Sequence, residues 1–360
     1  MSGDYEITHY RPEHLPGVLD VVGALWKFDH ATREQLFRWK YLENPSCGHP
    51  LGIVALHGGH VAGFRGYFAN RYHAGPGRPD FVVLHPGDTC VDPAHRNRNL
   101  SVAMGNLAKQ YDPARYRLFM NMTSSRNSLP GYLKMGFLPL ASKVVLTRHG
   151  ANPINWLRSR RAQDARPLAE SRVRFGRSGD ILVTDSPRPA EMASVAAHYA
   201  PGAGALRLRQ DLAFFEWRYG NPVQKYVFYF LMDPESVCAY VAVNVSPNNL
   251  AAEILDFGEV ADGGVRRILR HIVRSRAFLR LSVYRYGVDE RLAPALREFG
   301  FDTDPPWRRV TGRRVGESRA LPLLIRPITE SYSDRDFLIG GLDVRRRENW
   351  RLKPICSDAA

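Results

Sequence analysis

The chain has 360 residues, 44% of them hydrophobic, with a formal net charge of +14 and an isoelectric point near 9.8. That length suits two domains with buried cores, and no apolar run is long enough to cross a bilayer. Cys47, Cys90, Cys238 and Cys356 lie scattered, without metal-ligand spacing or a disulfide framework. The N-terminal Met-Ser-Gly-Asp-Tyr-Glu lacks the basic and apolar regions of a signal peptide. Together these predict a cytoplasmic protein with reduced thiols and no metal. The positive charge calls for an anionic partner: coenzyme A, a nucleic acid, a membrane surface or a sugar nucleotide.

Taken in order, Tyr5 to Thr8 alternates as a first strand, and Pro12 to Trp26 places Leu15, Val18, Leu19, Val22 and Leu25 on one helical side. A second helix is predicted over Ala31 to Tyr41. Gly52 to Leu56 and Val61 to Phe68 flank the turn His57-Gly58-Gly59-His60 and read as a hairpin. A buried strand over Phe81 to Leu84 breaks at Pro86-Gly87 and restarts at Thr89 to Val91. The turn His95-Arg96-Asn97-Arg98-Asn99 then leads into a helix through Leu100, Val102, Ala103, Met104 and Leu107. Strand, basic turn and helix start bring unpaired N–H groups and the positive end of a helix dipole together, a setting for an anionic phosphate. Tyr116 to Met122 is a further strand, Ser125 to Met135 a short helix and Phe137 to Thr147 a returning strand.

Val91-Asp92-Pro93-Ala94-His95-Arg96 resembles the pyrophosphate loop of the GNAT superfamily of N-acyltransferases, whose pattern continues with small residues where this chain has Asn99 and Ser101. Tyr132-Leu133-Lys134-Met135-Gly136-Phe137 is similar to the same family's Tyr-x-x-x-Gly-Phe motif. The resemblance implies that acyl-coenzyme A, acetyl-coenzyme A or a longer donor, is the co-substrate. Its phosphates would be held by Val91, Arg96, Asn97, Arg98, Asn99, Leu100 and Ser101, with Asn127 nearby. It also implies that Tyr132 protonates the departing thiolate and that an acidic residue before the loop, Asp88, serves as base. His85 competes for that role on its ordinary pKa. Asn127-Ser128 through Tyr132, with Asp88-Thr89 ahead of the loop, resembles a subgroup common in bacterial polysaccharide gene clusters. That suggests an amino sugar or sugar nucleotide as acceptor.

Arginines crowd Gly150 to Arg177, which reads as a basic connector with Trp156 as a possible membrane-surface anchor. The chain then repeats itself. Phe215-Glu216-Trp217-Arg218-Tyr219-Gly220-Asn221-Pro222 matches the segment from Phe37 to Pro45 with one residue deleted, and Leu296 to Phe301 echoes Leu133 to Phe137. The second copy lacks the phosphate loop: Gly258 to Gly264 carries Glu259 and Asp262 and no arginine.

These readings predict an α/β (α+β) protein of two tandem GNAT-like domains, each a mixed, mainly antiparallel sheet flanked by helices. Residues 1–149 form the acyltransferase domain, 150–178 a linker, 179–329 a degenerate copy and 330–360 a tail. The expected activity is N-acyl transfer to a small-molecule primary amine, with peripheral contact to an anionic membrane surface as a further partner and nucleic acid disfavoured. The competing readings are a non-catalytic module for an anionic polymer or membrane surface, and an aminoacyl or peptidyl transferase of the Fem type.

Overall fold

The computed structural model describes residues 5–75, 77–149, 171–198, 204–285, 292–303 and 322–357. The anchor Trp156 and the connector's Arg158, Arg160, Arg161 and Arg166 lie outside those residues.

The first half builds β1 (Tyr5–His9), β2 (Gly52–His57), β3 (His60–His73), β4 (Asp80–Val91), β5 (Tyr116–Asn121) and β6 (Leu138–Ser142). Helices α1 (Leu15–Val22) and α2 (His30–Phe37) cover one face, and α3 (Leu100–Leu107) and α4 (Leu129–Lys134) cover the other. The helix expected over Pro12 to Trp26 is shorter, because Pro12–His14 forms a 3-10 turn ahead of α1. The Asp29 carboxylate caps α2 by accepting from the Thr32 amide. Beyond Phe37 the helix widens into a π-helical turn, Arg38–Leu42, which turns Trp39, Lys40 and Tyr41 inward. The helix expected from Ser125 starts only at Leu129. Ser125 and Ser128 close a hydroxyl-bonded turn first, and Pro130 then sits at the helix start, where a missing N–H costs nothing.

The second half repeats the plan with β8 (Gly176–Ser178), β9 (Ile181–Thr184), β11 (Tyr226–Asp233), β12 (Ser236–Val245), β13 (Ala251–Glu259) and β14 (Arg280–Arg285). Its helices are α5 (Pro189–His198), α6 (Leu212–Arg218), α7 (Gly264–Ser275) and α8 (Leu292–Glu298). In α7, Val265, Ile268, Leu269 and Ile272 are buried. Three of its four arginines are in ion pairs: Arg266 and Arg270 with Glu298, and Arg267 with Asp180.

The two sheets exchange strands. The segment from Phe137 to Thr147 reads as one strand but divides at Lys143 into β6, in the first sheet, and β7 (Val144–His149), which pairs antiparallel with β14 in the second. In return β15 (Pro322–Pro327) runs between β5 and β6 of the first sheet. The last part of β3 also pairs with β10 (Leu206–Leu208), which carries Trp350–Arg351 of the tail on its other side. Each sheet therefore needs backbone from the other half of the chain.

The repeated Trp residues meet at the junction. Trp39 and Trp217 stack with ring centroids 5.2 Å apart and planes 12° apart. Each indole N–H donates to the other's backbone carbonyl at 2.7 Å. That reciprocity is the signature of a local two-fold relation between the copies. Asn44 and Asn221 also play one role: each side-chain oxygen accepts the amide two residues on, from Ser46 and Val223. The repeated Asn-Pro is thus a turn, built twice.

Candidate acyl-donor site in the first half

The site begins with a seam that opens. β4 and β5 pair in parallel through Val82↔Tyr116, Val83↔Leu118 and Leu84↔Phe119. Beyond Leu84, β4 continues to Val91 on β3 alone. The expected break at Pro86-Gly87 is a bulge within one long strand. Phe64 opposes Cys90 and Gly66 opposes Gly87, so Arg65 alone faces Asp88 and Thr89. Asp88 takes the left-handed conformation there, with φ 46°, which aspartate tolerates better than most residues.

The bulge sends Asp88 to the α1–α2 face. Its carboxylate is 9% exposed. Oδ2 accepts from Lys40 Nζ at 2.5 Å and from the Tyr41 hydroxyl at 2.6 Å, and Oδ1 accepts from Trp26 Nε1 at 3.1 Å. Lys40 and Tyr41 reach it because of the π-helical turn. Lys40 is itself only 6% exposed, so the pair is a buried one. His85, the alternative base, is 2% exposed. Burial drives its pKa down to about 3, and its Nε2 faces the Asn70 amide at 3.3 Å. It is a neutral core histidine, not a base in a cleft.

The loop after Val91 is anchored and then left open. The Asp92 side chain caps the 3-10 turn by accepting from the Ala94 amide, and His95 Nδ1 meets the Tyr5 hydroxyl at 2.7 Å. Arg96, Asn97, Arg98 and Asn99 are exposed, with Arg96 Nε directed at the Val91 carbonyl (3.4 Å) and Arg98 over the Tyr5 ring (5.8 Å). Asn97 and Asn99 are left-handed, with φ 63° and 58°. Asparagine therefore supplies the geometry that glycine supplies in the resembled motif. Leu100 is buried and anchors α3, and Ser101 is half-buried. Among the described residues the amides of Asn97, Arg98, Asn99, Leu100 and Ser101 have no acceptor in the chain. Unpaired donors at a helix start, between two arginines, suit a polyphosphate.

Tyr132 lies on the opposite face of the sheet from Asp88, buried among Leu100, Met104, Met135 and Phe137. α4 packs on α3, with Gly131 beside Val102. Asn127 is exposed on the turn before α4. Sequence reasoning missed Arg65. It is 2% exposed, contacts Tyr132 and Tyr67, and donates to the Ser101 carbonyl at 3.1 Å. A lone charge within the run Val61 to Phe68 was the available signal.

The second half repeats these features in altered form. β13 and β14 stay paired as far as Ile254↔Val283, so the seam opens less. Gly263, left-handed at φ 100°, caps α7 as Asn99 caps α3, but the Glu259 carboxylate accepts the Val265 amide at 2.9 Å. A carboxylate of the chain itself thus occupies the helix start. Gly300-Phe301 closes α8 with the same Phe amide bond as Gly136-Phe137, which aligns Leu296 with Tyr132. Asp256 has Lys353, Tyr240 and Gln210 around it, as Asp88 has Lys40, Tyr41 and Trp26, but it is 0% exposed.

No protein-family model matches the chain, and no curated protein is significantly similar to it in sequence. Solved structures are similar in fold. A conserved protein from Enterococcus faecalis V583, described as a probable N-acyltransferase, superposes with a TM-score of 0.62 at 11% identity, over 93% of this chain and 74% of that one. A GCN5-related N-acetyltransferase from Anabaena variabilis gives 0.56 at 11%, over 90% and 73%. The fold is the GNAT fold. Its particular form is the tandem one: a tandem GNAT protein of the clavulanic acid biosynthesis pathway aligns over 91% of this chain and all of its own length, with a TM-score of 0.52 at 11% identity. Among the described residues no helix is long and apolar enough to cross a membrane, and no group of three or more His, Cys, Asp or Glu side chains is arranged to hold a metal.

Proposed function

We propose that the chain is an acyl-coenzyme A-dependent N-acyltransferase whose first half is the catalytic one, acting on a primary amine such as an amino sugar or sugar nucleotide. The observation that carries this is the contrast between the halves. One GNAT-fold unit keeps a row of unpaired loop amides, an opened β4–β5 seam and a tyrosine beside it. The other fills the helix start with Glu259, holds its seam closed longer and replaces the tyrosine by Leu296. A protein using this fold only as a scaffold has no reason to keep one set of donors bare.

The residues present fit the co-substrate's phosphates: amides 97–101, with Arg96 and Arg98 adding side-chain charge. Acyl-coenzyme A, when bound, supplies an activated acyl group on a thiol leaving group. The chain's own part is small. The seam gives unpaired strand backbone that can donate to a carbonyl oxygen. Asp88 Oδ1 carries only the longer Trp26 bond, so it is the oxygen open to take a proton from an amine arriving on the α1–α2 face. From the other face Tyr132 holds a proton for the departing sulfur.

The test is isothermal titration of acetyl-coenzyme A into wild type and Arg96→Ala. Saturable binding that weakens at least about tenfold in the variant is expected, since a charge-assisted phosphate contact is worth roughly 1.5–3 kcal/mol. Absence of binding to wild type refutes the reading.

A further inference from the structure

Arg65 stands where the parts of the site converge. It is the β3 residue opposite the Asp88–Thr89 bulge, so it occupies the strand at the mouth of the seam. Its side chain turns toward α3 and α4, away from Asp88. There it donates to the Ser101 carbonyl at 3.1 Å, and its guanidinium carbon lies 5.0 Å from the Tyr132 ring centroid and 5.7 Å from that of Tyr67. Both rings are thus within cation–π range of the guanidinium.

The burial is unusual for a cation. Arg65 is 2% exposed, its Nε is buried with no partner, and among the described residues it makes no ion pair. Removing a guanidinium from water without a counter-charge costs several kcal/mol unless hydrogen bonds compensate. A guanidinium keeps its proton at neutral pH even when buried, so Arg65 stays charged. Gly105 of α3 lies beside it, at ordinary contact distance. A methionine or leucine would fill this space with less cost, so a purely structural account leaves the charge unexplained.

We propose that Arg65 is a positioning residue for acyl transfer. It fixes the Tyr132 ring and the first turn of α3 as one assembly, and it offsets the charge that the tyrosine oxygen acquires on giving up its proton. The inference rests on the acyltransferase reading above. In that reaction a bond forms between the amine nitrogen and the acyl carbon, and the carbon–sulfur bond breaks. The departing sulfur takes the Tyr132 hydroxyl proton, and the amine's surplus proton passes to Asp88. The tyrosine oxygen is left anionic against the Arg65 guanidinium, and solvent reprotonates it as Asp88 releases its proton. Because Arg65 also grips Ser101, displacing it loosens the phosphate loop.

The experiment compares wild type, Arg65→Met, Arg65→Lys, Tyr132→Phe and the Arg65→Met/Tyr132→Phe double variant. Each is titrated with acetyl-coenzyme A and then assayed at saturation against a panel of primary amines that includes amino sugars. Arg65→Met is expected to lower kcat at least about tenfold, on the scale of a misplaced proton donor, and to weaken acetyl-coenzyme A binding severalfold. Arg65→Lys recovers part of both. The double variant falls no more than about twofold below Tyr132→Phe, because Arg65 acts on kcat through that hydroxyl. Losses that multiply in the double variant, or wild-type kcat and affinity in Arg65→Met, overturn the proposal. If Arg65→Met does not fold, the cycle of Arg65→Lys with Tyr132→Phe carries the same comparison. If no amine in the panel is acylated, the titration decides, and wild-type affinity in Arg65→Met overturns the proposal. A wild type that binds no acetyl-coenzyme A refutes the acyltransferase reading itself, an outcome distinct from an active enzyme indifferent to Arg65.

Discussion

Lys40→Met isolates the buried pair at the bulge. Methionine keeps an unbranched apolar side chain and removes the cation, which lies 2.5 Å from Asp88 and near the Tyr41 and Phe68 rings. The carboxylate stays at 9% exposure with only Tyr41 and Trp26 donating to it. Breaking a buried ion pair on one side costs about 3–5 kcal/mol, mostly for the charge left behind. Two surviving donors put the expected loss near the low end, about 3 kcal/mol. Asp88→Asn takes the counter-charge from Lys40 and costs a similar amount. The double variant removes both charges, so its loss falls below the sum of the singles by at least about 2 kcal/mol. Urea unfolding followed by both circular dichroism and tryptophan fluorescence measures this, with coincident transitions licensing the comparison. A loss under about 1 kcal/mol for Lys40→Met, or additive singles, refutes the claim that the pair is buried and coupled.

Glu259→Ala frees the Val265 amide at the start of α7 and is expected to cost about 1–2 kcal/mol, the scale of a lost helix cap. Acetyl-coenzyme A titration should keep wild-type affinity and stoichiometry in this variant; loss of binding would refute the assignment of the donor site to the first half. A buried histidine and a half-buried glutamate set opposite pH slopes of stability. His85 is depressed from 6.5 to about 3, so the unfolded chain binds its proton first and stability falls as pH drops from 6.5 toward 3. Glu253 is raised from 4.5 to about 7 by burial, against the pull of Lys143 and Arg280, so its contribution is full below 4.5 and is lost as pH rises through 7. Each is limited to roughly 1.4 kcal/mol per pH unit. Accordingly His85→Gln flattens the acid side of a stability profile, and Glu253→Gln flattens the neutral side. An unchanged profile in either variant refutes the assignment.

Local chemistry made much of the site legible. Pro93 ends the strand, Asn97 and Asn99 carry the left-handed positions, and Leu100 to Leu107 falls at helical spacing because its apolar residues seat α3 on the sheet. The repeated Trp-cation-Tyr segment was visible for the same reason, since side chains that build one turn twice must be written twice. Asp88 was legible as an acid before the loop. Its partners were not, because Trp26, Lys40 and Tyr41 reach it from other elements. Nor was the burial of Arg65: a charge in a strand reads as a solvent-facing position until a helix is packed over it.

The sequence alone therefore determined the two copies, the order of their elements and the unequal fate of their loops, since each follows from residues near one another in the chain. Which sheet a strand joins was a different matter. Residues 138–149 carry one strand-forming pattern, yet β6 and β7 part at Lys143 and enter different sheets, while β15 arrives from residues 322–327 to fill the space between β5 and β6. A strand edge offers the same N–H and C=O groups to any partner, so pairing is chosen by which face each strand can bury. Only the assembled core sets that choice, and with it the exchange that binds the two halves together.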